Sequence, residues 1–410
     1  MHTIEMSAQE QEQAIERARE VAAEFAKLGP QADKDNTFAY ASAAIMKESG
    51  LVGLSVPKEF GGMGADIWTT CRVAAELSRG DPGIALAYNM HYIMVGILNG
   101  SFTDDQRKEW LPRIADGDIL CGTFSEERGF GGLADTKAVP QPGGGWKLYG
   151  KKMWGTLSEV SDIWSGSATI TDADGNLPTD FEARVAAESN FIVGLDGPGT
   201  GPGLEIRKTW DAMGMKATGT HTIVFDGFYV PEDGYCGEMR GGVFASLEWA
   251  SLLFASVYWG LAIRCYEETR AILRTKHTGP IFSADVGADL KARDIGYIQD
   301  GVGEIAYRNE LTRRVIQATC RQLIEGDDDH WDPSLRPALI GMAKVFSTEN
   351  AAHVTHKAMR LVGGASYRRG HVLEKLYRDA AAGPFQPLTE DQTYMYMGRL
   401  ELGTGQDDDD

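Results

Sequence analysis

Short apolar runs separated by turns fill the middle of this 410-residue chain, between two long stretches with helical periodicity. From 121 to 238, runs such as DIWSGSATIT and HTIVFDGFYV are rich in β-branched and aromatic residues, and turn clusters such as QPGGG and DADGN separate them. This pattern predicts β-strands. The stretches 1–120 and 239–402 have the spacing of helices. We therefore predict three domains in the order helical, β, helical, with a disordered acidic tail at 403–410.

The chain is acidic, with a net charge of −19, and its last four residues are DDDD. Such a surface repels nucleic acid and anionic lipid, so neither is expected as a partner. No apolar run approaches the roughly 18–20 residues that span a bilayer, and we expect no membrane insertion. The polar N-terminal segment is unlike a signal or transit peptide. We therefore predict a cytoplasmic protein.

The five cysteines are scattered along the chain, and no CxxC motif is present. They are Cys71, Cys121, Cys236, Cys265 and Cys320. An odd number at irregular spacing argues against a disulfide framework and against a structural zinc site. We predict no metal site.

The stretch RDAAAGPFQPLTEDQ, at 378–392, leaves a predicted helix, crosses a Gly- and Pro-rich loop and enters another helix. Thr389 and Gln392 have the spacing of a capping box, in which each side chain bonds the other residue's backbone N–H. Glu390 would then lie in the first turn of the second helix. It is interpreted either as an acidic residue that the helix dipole favours there or as a catalytic carboxylate.

Six segments, in order along the chain, resemble the acyl-CoA dehydrogenase family. They are GLVGLSVPKEFGGMG (50–64), CGTFSEERGFGGLADTKA (121–138), KKMWGT (151–156), WDAMGMKATGTHTIVFDGFYVP (210–231), RLVGGASY (360–367) and EKLYRDA (374–380). The resemblance covers nearly the whole chain. It implies an α+β fold with an N-terminal helical domain, a central β-barrel-like domain and a C-terminal four-helix bundle. Two-component flavin monooxygenases share this fold.

The resemblance also implies which residues would contact a flavin ring. Phe124 and Ser125 would line the ring edge, Trp154 would stack against the ring, and Thr156 would hydrogen-bond near its N5 atom. A flavin needs such polar contacts at its edge together with an apolar wall. The alternative for Trp154 is ordinary packing in a β-domain core.

A second group of residues would contact the cofactor's phosphates. Gly363 and Gly364 would let the backbone approach a pyrophosphate, because they lack a Cβ, and Arg274 would be a phosphate ligand. The alternatives are a plain helix C-cap for the glycines and a surface position for the arginine. Family members use the glycine turn of one subunit on the FAD of a neighbour, which implies a homodimer or homotetramer.

The residue expected to be the catalytic base is missing. Family dehydrogenases remove the substrate's α-proton with a glutamate seven residues after the RDA sequence, and here that residue is Pro387. Some branches place the base on an earlier helix, which corresponds to Ala250 in this chain. Glu248 lies two residues away, about 200° round an ideal helix, so it is a candidate only if the alignment shifts. Otherwise it is a solvated or capping glutamate near a helix start.

The monooxygenase branch of the family has no catalytic glutamate and uses reduced flavin with oxygen. It places a histidine near the flavin at the position of His91, in AYNMHYIMVG. A single histidine on an apolar helix is also commonly a core residue. The cofactor is predicted to be FAD, or FMN if the chain is a monooxygenase.

Three functions are compatible with these residues. The first is a FAD-dependent oxidoreductase that acts on the CH–CH group of an acyl thioester or similar substrate and passes electrons to an electron-transfer flavoprotein. The second is a monooxygenase that uses O2 and reduced flavin, supplied by a flavin reductase. The third is a non-catalytic subunit of a hetero-oligomeric acyl-CoA dehydrogenase.

Overall fold

The computed structural model describes residues 5–126, 133–278, 290–326 and 336–404, with the backbone alone for 240–247. Most of the predicted acidic tail, from residue 405 onward, lies outside the described residues. In the described part, helices come first, a sheet follows, and helices return. The predicted order of helical, β and helical regions is therefore confirmed.

The N-terminal region is helical. Its helices are α1 (Ala8–Asp35), α2 (Ala41–Ser49), α3 (Ile67–Gly80), α4 (Pro82–Ser101) and α5 (Asp104–Ala115). Side chains satisfy the free N–H groups at several helix starts. Ser7 and Glu10 form a capping box on α1, and Asp81 accepts hydrogen bonds from the backbone N–H groups of Gly83 and Ile84 at the start of α4.

The central region is a sheet with one short helix, α6 (Phe181–Ala187), beside it. The strands are β1 (Leu120–Thr123), β2 (Lys137–Pro140), β3 (Trp146–Gly155), β4 (Ile163–Ile170), β5 (Glu188–Gly194), β6 (Leu204–Arg207), β7 (His221–Val230) and β8 (Tyr235–Glu238). They pair in the order β6-β7-β3-β2-β4-β5-β8, and β1 pairs with β4 in parallel. An aromatic core lies on one face, where Trp164 meets Phe225 edge-on with ring centroids 4.9 Å apart.

The C-terminal region returns to helices. They are α7 (Met239–Thr275), α8 (Gly296–Glu325), α9 (Arg336–Val362), α10 (Val372–Ala380) and α11 (Glu390–Leu402). A short ribbon follows α7, in which β9 (His277–Thr278) pairs with β10 (Leu290–Lys291). The long helix α7 packs against α3 and α4 as well as α8 and α9, so it joins the two helical regions.

Close approach of α4 to α7 depends on one glycine. A Cβ built on Gly96 would lie 2.2 Å from the Trp249 indole, so any side chain at this position would push the helices apart.

None of the helices in the described ranges combines the length and the apolar composition that a bilayer crossing needs. The described side chains also contain no group of three or more His, Cys, Asp or Glu arranged to hold a metal ion.

Candidate active site

The ends of strands β1 and β3 meet, which brings the backbone segment with Phe124 and Ser125 beside the segment with Trp154 and Thr156. Ser125 forms an isolated bridge with Met153, whose backbone N–H donates to the Ser125 carbonyl oxygen at 2.9 Å. Phe124 therefore lies near the segment that continues from Met153 to Trp154 and Thr156. We call Phe124, Ser125, Trp154 and Thr156 the ring-edge cluster.

Trp154 presents an open aromatic surface. Its backbone lies in the left-handed region, at φ 64°, which is uncommon for a bulky residue. Half of the residue is exposed, at 50%, and its ring meets that of Trp210 edge-on with centroids 5.8 Å apart. The rest of the ring is free to pack against a planar group.

Thr156 begins a short series of hydroxyl contacts that leads away from the ring-edge cluster. Its Oγ1 lies 2.9 Å from the Thr220 Oγ1, and the Thr220 hydroxyl lies 2.7 Å from the Thr218 Oγ1. The Thr218 hydroxyl donates to the Met215 carbonyl oxygen at 2.9 Å. All three threonines are buried. We call Thr156, Thr220 and Thr218 the hydroxyl row.

Helix α10 holds the loop on which the hydroxyl row ends. Asp379 Oδ1 accepts a hydrogen bond from the Met215 backbone N–H at 2.7 Å, and Arg378 Nη1 donates to the Met213 carbonyl oxygen at 2.9 Å. A Cβ built on Gly214 would lie 2.2 Å from the Arg378 carbonyl oxygen, so only glycine fits there. The RDA sequence thus fixes the position of a loop in the β region.

The charges of α10 are themselves paired. Lys375 Nζ lies 2.7 Å from Asp379 Oδ2 and 2.8 Å from Asp81 Oδ2, at the start of α4. Burial alone would lower the pKa of Lys375, but the two carboxylates outweigh it and raise the pKa. Arg378 forms a further ion pair with Asp33 of α1, at 2.7 Å. These contacts tie α1, α4 and the β region to α10.

Comparison with known families agrees with this architecture. Residues 8–118 match the family model described as acyl-CoA dehydrogenase, N-terminal domain, and residues 243–385 match acyl-CoA dehydrogenase, C-terminal domain. The chain belongs to the acyl-CoA dehydrogenase family. The resemblance predicted from its sequence segments is thereby confirmed.

Curated relatives match this acyl-CoA dehydrogenase family chain over most of their length. The putative acyl-CoA dehydrogenase YdbM of Bacillus subtilis is 27% identical, with 93% of this chain and 94% of that protein covered. The human short-chain specific acyl-CoA dehydrogenase is 28% identical, with 92% and 86% covered. The amino sugar nitrososynthase DnmZ of Streptomyces peucetius is 26% identical, with 87% and 85% covered.

Solved structures with the same fold include flavin monooxygenases. TdsC of Paenibacillus sp. A11-2, in complex with FMN and indole, has a TM-score of 0.81 at 21% identity, with 96% of this chain and 98% of that chain covered. The methanesulfinate monooxygenase MsuC of Pseudomonas fluorescens has a TM-score of 0.80 at 20% identity, with 95% and 97% covered. At this identity the likeness shows a shared fold. The FMN in TdsC also agrees with a flavin as the cofactor of this fold.

The second group of predicted cofactor residues lies at the ends of α7 and α9. Gly363 follows α9 with φ 85°, and Lys276 Nζ lies 3.5 Å from a Cβ built there. No atom in the described ranges lies within 4 Å of a Cβ built on Gly364, so the backbone is open to approach. Arg274 lies in the last turn of α7, beside an open groove of about 360 Å³ that Arg270 also lines.

These residues fit a flavin nucleotide. The ring-edge cluster offers hydroxyl groups and an open indole face, and the glycine turn and neighbouring cations offer an approach for phosphates. The ring-edge cluster is brought together directly by backbone pairing. The structure places Gly363 beside Lys276, whose ammonium group donates to the Val362 carbonyl oxygen, and Arg274 lies two residues before Lys276 in the chain.

His91 is a buried histidine with both ring nitrogens in use. Its Nδ1 accepts a hydrogen bond from the Leu120 backbone N–H at 3.0 Å, and Nε2 lies 2.9 Å from the Val52 carbonyl oxygen. Nε2 must therefore carry the proton and donate. Burial lowers the pKa of His91 to about 4. These contacts favour the interpretation of His91 as a core residue that ties α4 to the start of β1.

Of the two candidate carboxylates, Glu248 has an arginine partner and Glu390 is exposed to solvent. Glu248 Oε2 accepts a hydrogen bond from Arg336 Nη2 at 2.7 Å. Glu390 is exposed in the first turn of α11. The predicted capping box next to it is confirmed, since Thr389 and Gln392 bond each other's backbone N–H groups. These surroundings favour the structural interpretation of both carboxylates, without testing a catalytic one.

Lys344 was not singled out by its sequence context, yet it holds the loop around Pro387. Its side chain is completely buried in α9, and Nζ donates to the carbonyl oxygens of Gly383 and Gln386 at 2.8 and 2.7 Å. Burial lowers its pKa to about 8. A lysine in a helical stretch gives no sequence signal of such a contact, because its partners are backbone atoms about forty residues away.

Proposed function

We propose that this chain is a flavin-dependent monooxygenase of the acyl-CoA dehydrogenase family, which oxidises a small organic substrate with O2 and reduced flavin. A reaction of this type does not require a carboxylate to remove an α-proton. The bound flavin would supply the redox chemistry, by carrying two electrons and reacting with oxygen when reduced. The protein would bind, orient and desolvate the reactants.

The observation that carries the proposal is the set of groups around Pro387. Pro387 stands where the sequence resemblance predicts the base, and Lys344 holds the loop around it through backbone carbonyl oxygens. Glu248 is engaged by Arg336, and Glu390 is exposed at the start of α11. A catalytic base must be within reach of the proton that it removes and must have a suitable pKa. Glu248 is held in an ion pair and Glu390 faces solvent, so neither carboxylate is placed as a base in a closed site.

The ring-edge cluster would take three roles toward a flavin. The Trp154 indole would cover one face of the ring and exclude water. Ser125 and Thr156 would orient the ring edge through their hydroxyl groups, while α10 holds the loop that supports Thr156. The cluster lies at the ends of β1 and β3, and a sheet is a rigid support for such positioning.

A dehydrogenase acting on an acyl thioester is the second candidate, because curated relatives that cover nearly the whole chain are short-chain acyl-CoA dehydrogenases. In that case electrons would pass to an electron-transfer flavoprotein, and a carboxylate would have to approach the substrate from another position. The open glycine turn at Gly363 and Gly364 supports a homodimer or homotetramer in which a neighbour's cofactor approaches this surface.

One experiment separates the two candidates. The purified protein is loaded with FAD or FMN, reduced without oxygen, and then mixed with oxygenated buffer in a stopped-flow instrument. We expect a delayed return of the oxidised flavin absorbance, and incorporation of labelled oxygen from ¹⁸O2 into an oxidised product from a panel of aromatic and amino-sugar compounds.

Anaerobic addition of a short-chain acyl-CoA panel to the oxidised protein is the matching control. Bleaching of the flavin band by butyryl-CoA would contradict oxygenation and support dehydrogenation. Retention of flavin only after co-expression with a second, related chain would support a non-catalytic subunit instead.

A further inference from the structure

The hydroxyl row is a one-way series of hydrogen bonds. A threonine hydroxyl carries one hydrogen and can therefore donate only one hydrogen bond. The Met215 carbonyl oxygen can only accept, so Thr218 gives its hydrogen to Met215. Thr220, which lies 2.7 Å from Thr218, must then donate to Thr218.

The same count fixes the direction at Thr156. Its contact with Thr220, at 2.9 Å, needs one hydrogen, and the Thr220 hydrogen is already directed to Thr218. Thr156 must therefore donate to Thr220. Its hydroxyl oxygen keeps both lone pairs for other contacts, so Thr156 is left as a hydrogen-bond acceptor.

The starting point of the row is held rigidly. The Met215 carbonyl oxygen also accepts a hydrogen bond from Trp210 Nε1 at 3.1 Å, and the Met215 N–H is held by Asp379. Met215 itself is 1% exposed. Water therefore has little access to the Met215 end of the row and cannot easily reverse the direction of its hydrogen bonds. The direction of the Thr156 hydroxyl is thus set by the loop that α10 supports.

We propose that the hydroxyl row makes the site selective for reduced over oxidised flavin. This inference rests on the proposed function in one respect, which is that Thr156 contacts N5 of the ring. In oxidised flavin N5 is an acceptor, whereas in reduced flavin N5 carries a hydrogen. An acceptor at Thr156 is complementary to the reduced ring, whereas toward the oxidised ring Thr156 has no hydrogen to donate to N5.

The test is the reduction potential of bound flavin, measured by anaerobic titration against a reference dye. Thr156→Val removes the contact, and we expect the preference for reduced flavin to fall about fivefold, which lowers the potential by roughly 20 mV for a two-electron couple. Thr218→Val should reverse the row, because Thr220 can then donate to Thr156 and Thr156 can donate to N5. We expect the preference for reduced flavin to fall about twenty-fivefold, which lowers the potential by roughly 40 mV.

Two variants serve as controls. Thr156→Ser keeps the hydroxyl group and should retain the potential of the natural protein. Thr222→Val removes a neighbouring hydroxyl contact, the 2.9 Å pair with Thr209, that is separate from the row, and should leave the potential unchanged. Thermal unfolding of each variant shows whether a shift comes from loss of the fold.

The outcomes separate this inference from the proposed function. Equal potentials in the natural protein, Thr156→Val and Thr218→Val would overturn the inference even if the enzyme oxygenates its substrate. The expected order of potentials without ¹⁸O incorporation would support the inference and remove oxygenation. A protein that binds neither flavin state would overturn both.

Discussion

Two buried lysines of the C-terminal region have opposite surroundings. Lys375 in α10 lies between two carboxylates, Asp379 and Asp81. Lys344 in α9 donates only to backbone carbonyl oxygens among its described contacts, those of Gly383 and Gln386. Accordingly the pKa of Lys375 is raised by its ion pairs, whereas burial lowers that of Lys344 to about 8.

The difference separates the two halves of the segment from 372 to 389. The first half, α10, carries charges that join three regions of the protein and support the loop under the hydroxyl row. The second half, the loop with Pro387, is held in place by Lys344 without an acidic side chain. The chain therefore keeps the ion pairs of α10 next to a loop that carries a proline where the family resemblance predicts a base.

Removing the positive charge of α10 should have the largest effect on stability. Lys375→Met leaves two buried carboxylates without their cation, and we expect a loss of about 3–5 kcal/mol in the free energy of unfolding. The loss should shrink at acid pH, because burial raises the pKa of Asp379 and protonation then removes its unpaired charge. Urea unfolding at neutral and acid pH measures both effects.

A matched control is Arg369→Met, since Arg369 is largely exposed and only 3.8 Å from a Glu374 oxygen. It should change stability by less than about 0.5 kcal/mol. A loss in Lys375→Met no larger than in this control would show that the ion pairs of α10 do not hold the site together.

Lys344→Met should have a smaller effect with a different pH dependence. Two buried carbonyl oxygens lose their donor, which costs about 1–3 kcal/mol. In the natural protein the pKa of Lys344 lies at about 8 in the folded state, below its ordinary 10.5. The unfolded chain then binds more protons between these pH values, so the stability contributed here rises with pH.

Lys344→Met should lack this increase of stability with pH. The free energy of unfolding of the natural protein should therefore exceed that of the variant by a growing amount above pH about 8. Lys357→Met is the control on the same helix, because Lys357 pairs with Glu304 in a partly exposed position. It should show no such widening. A constant difference for Lys344→Met across this range would contradict a neutralised lysine.

The domain order and the helix starts could be predicted from the sequence because they depend on local patterns. Strand-like runs between turns predicted the sheet, and the spacing of Thr389 and Gln392 predicted the cap of α11. Resemblance to a family indicated the ring-edge cluster, since its residues are close to recognisable motifs.

The supporting contacts could not be predicted in this way. Thr156 and Thr220 are 64 residues apart, and Met215 and Asp379 are 164 apart. No periodicity in the sequence links such positions. The sequence around a threonine also does not show whether its hydroxyl group contacts solvent or another threonine. His91 shows the same limit, because its role depends on two backbone groups, at Val52 and Leu120.

The smallest effect is expected from Glu248→Gln. Its partner Arg336 is 47% exposed at the side chain, so loss of the ion pair should cost less than about 1 kcal/mol. Turnover with the natural substrate, or O2 consumption with reduced flavin, should stay within about twofold of the natural protein, because we propose that the ion pair with Arg336 makes Glu248 a structural residue. A general base contributes about a hundredfold or more to rate. A loss of that size, with the pH profile shifted and the fold intact, would show that Glu248 acts as the base. The difference between Lys375 and Lys344 would then concern the stability of the protein and not its catalytic mechanism.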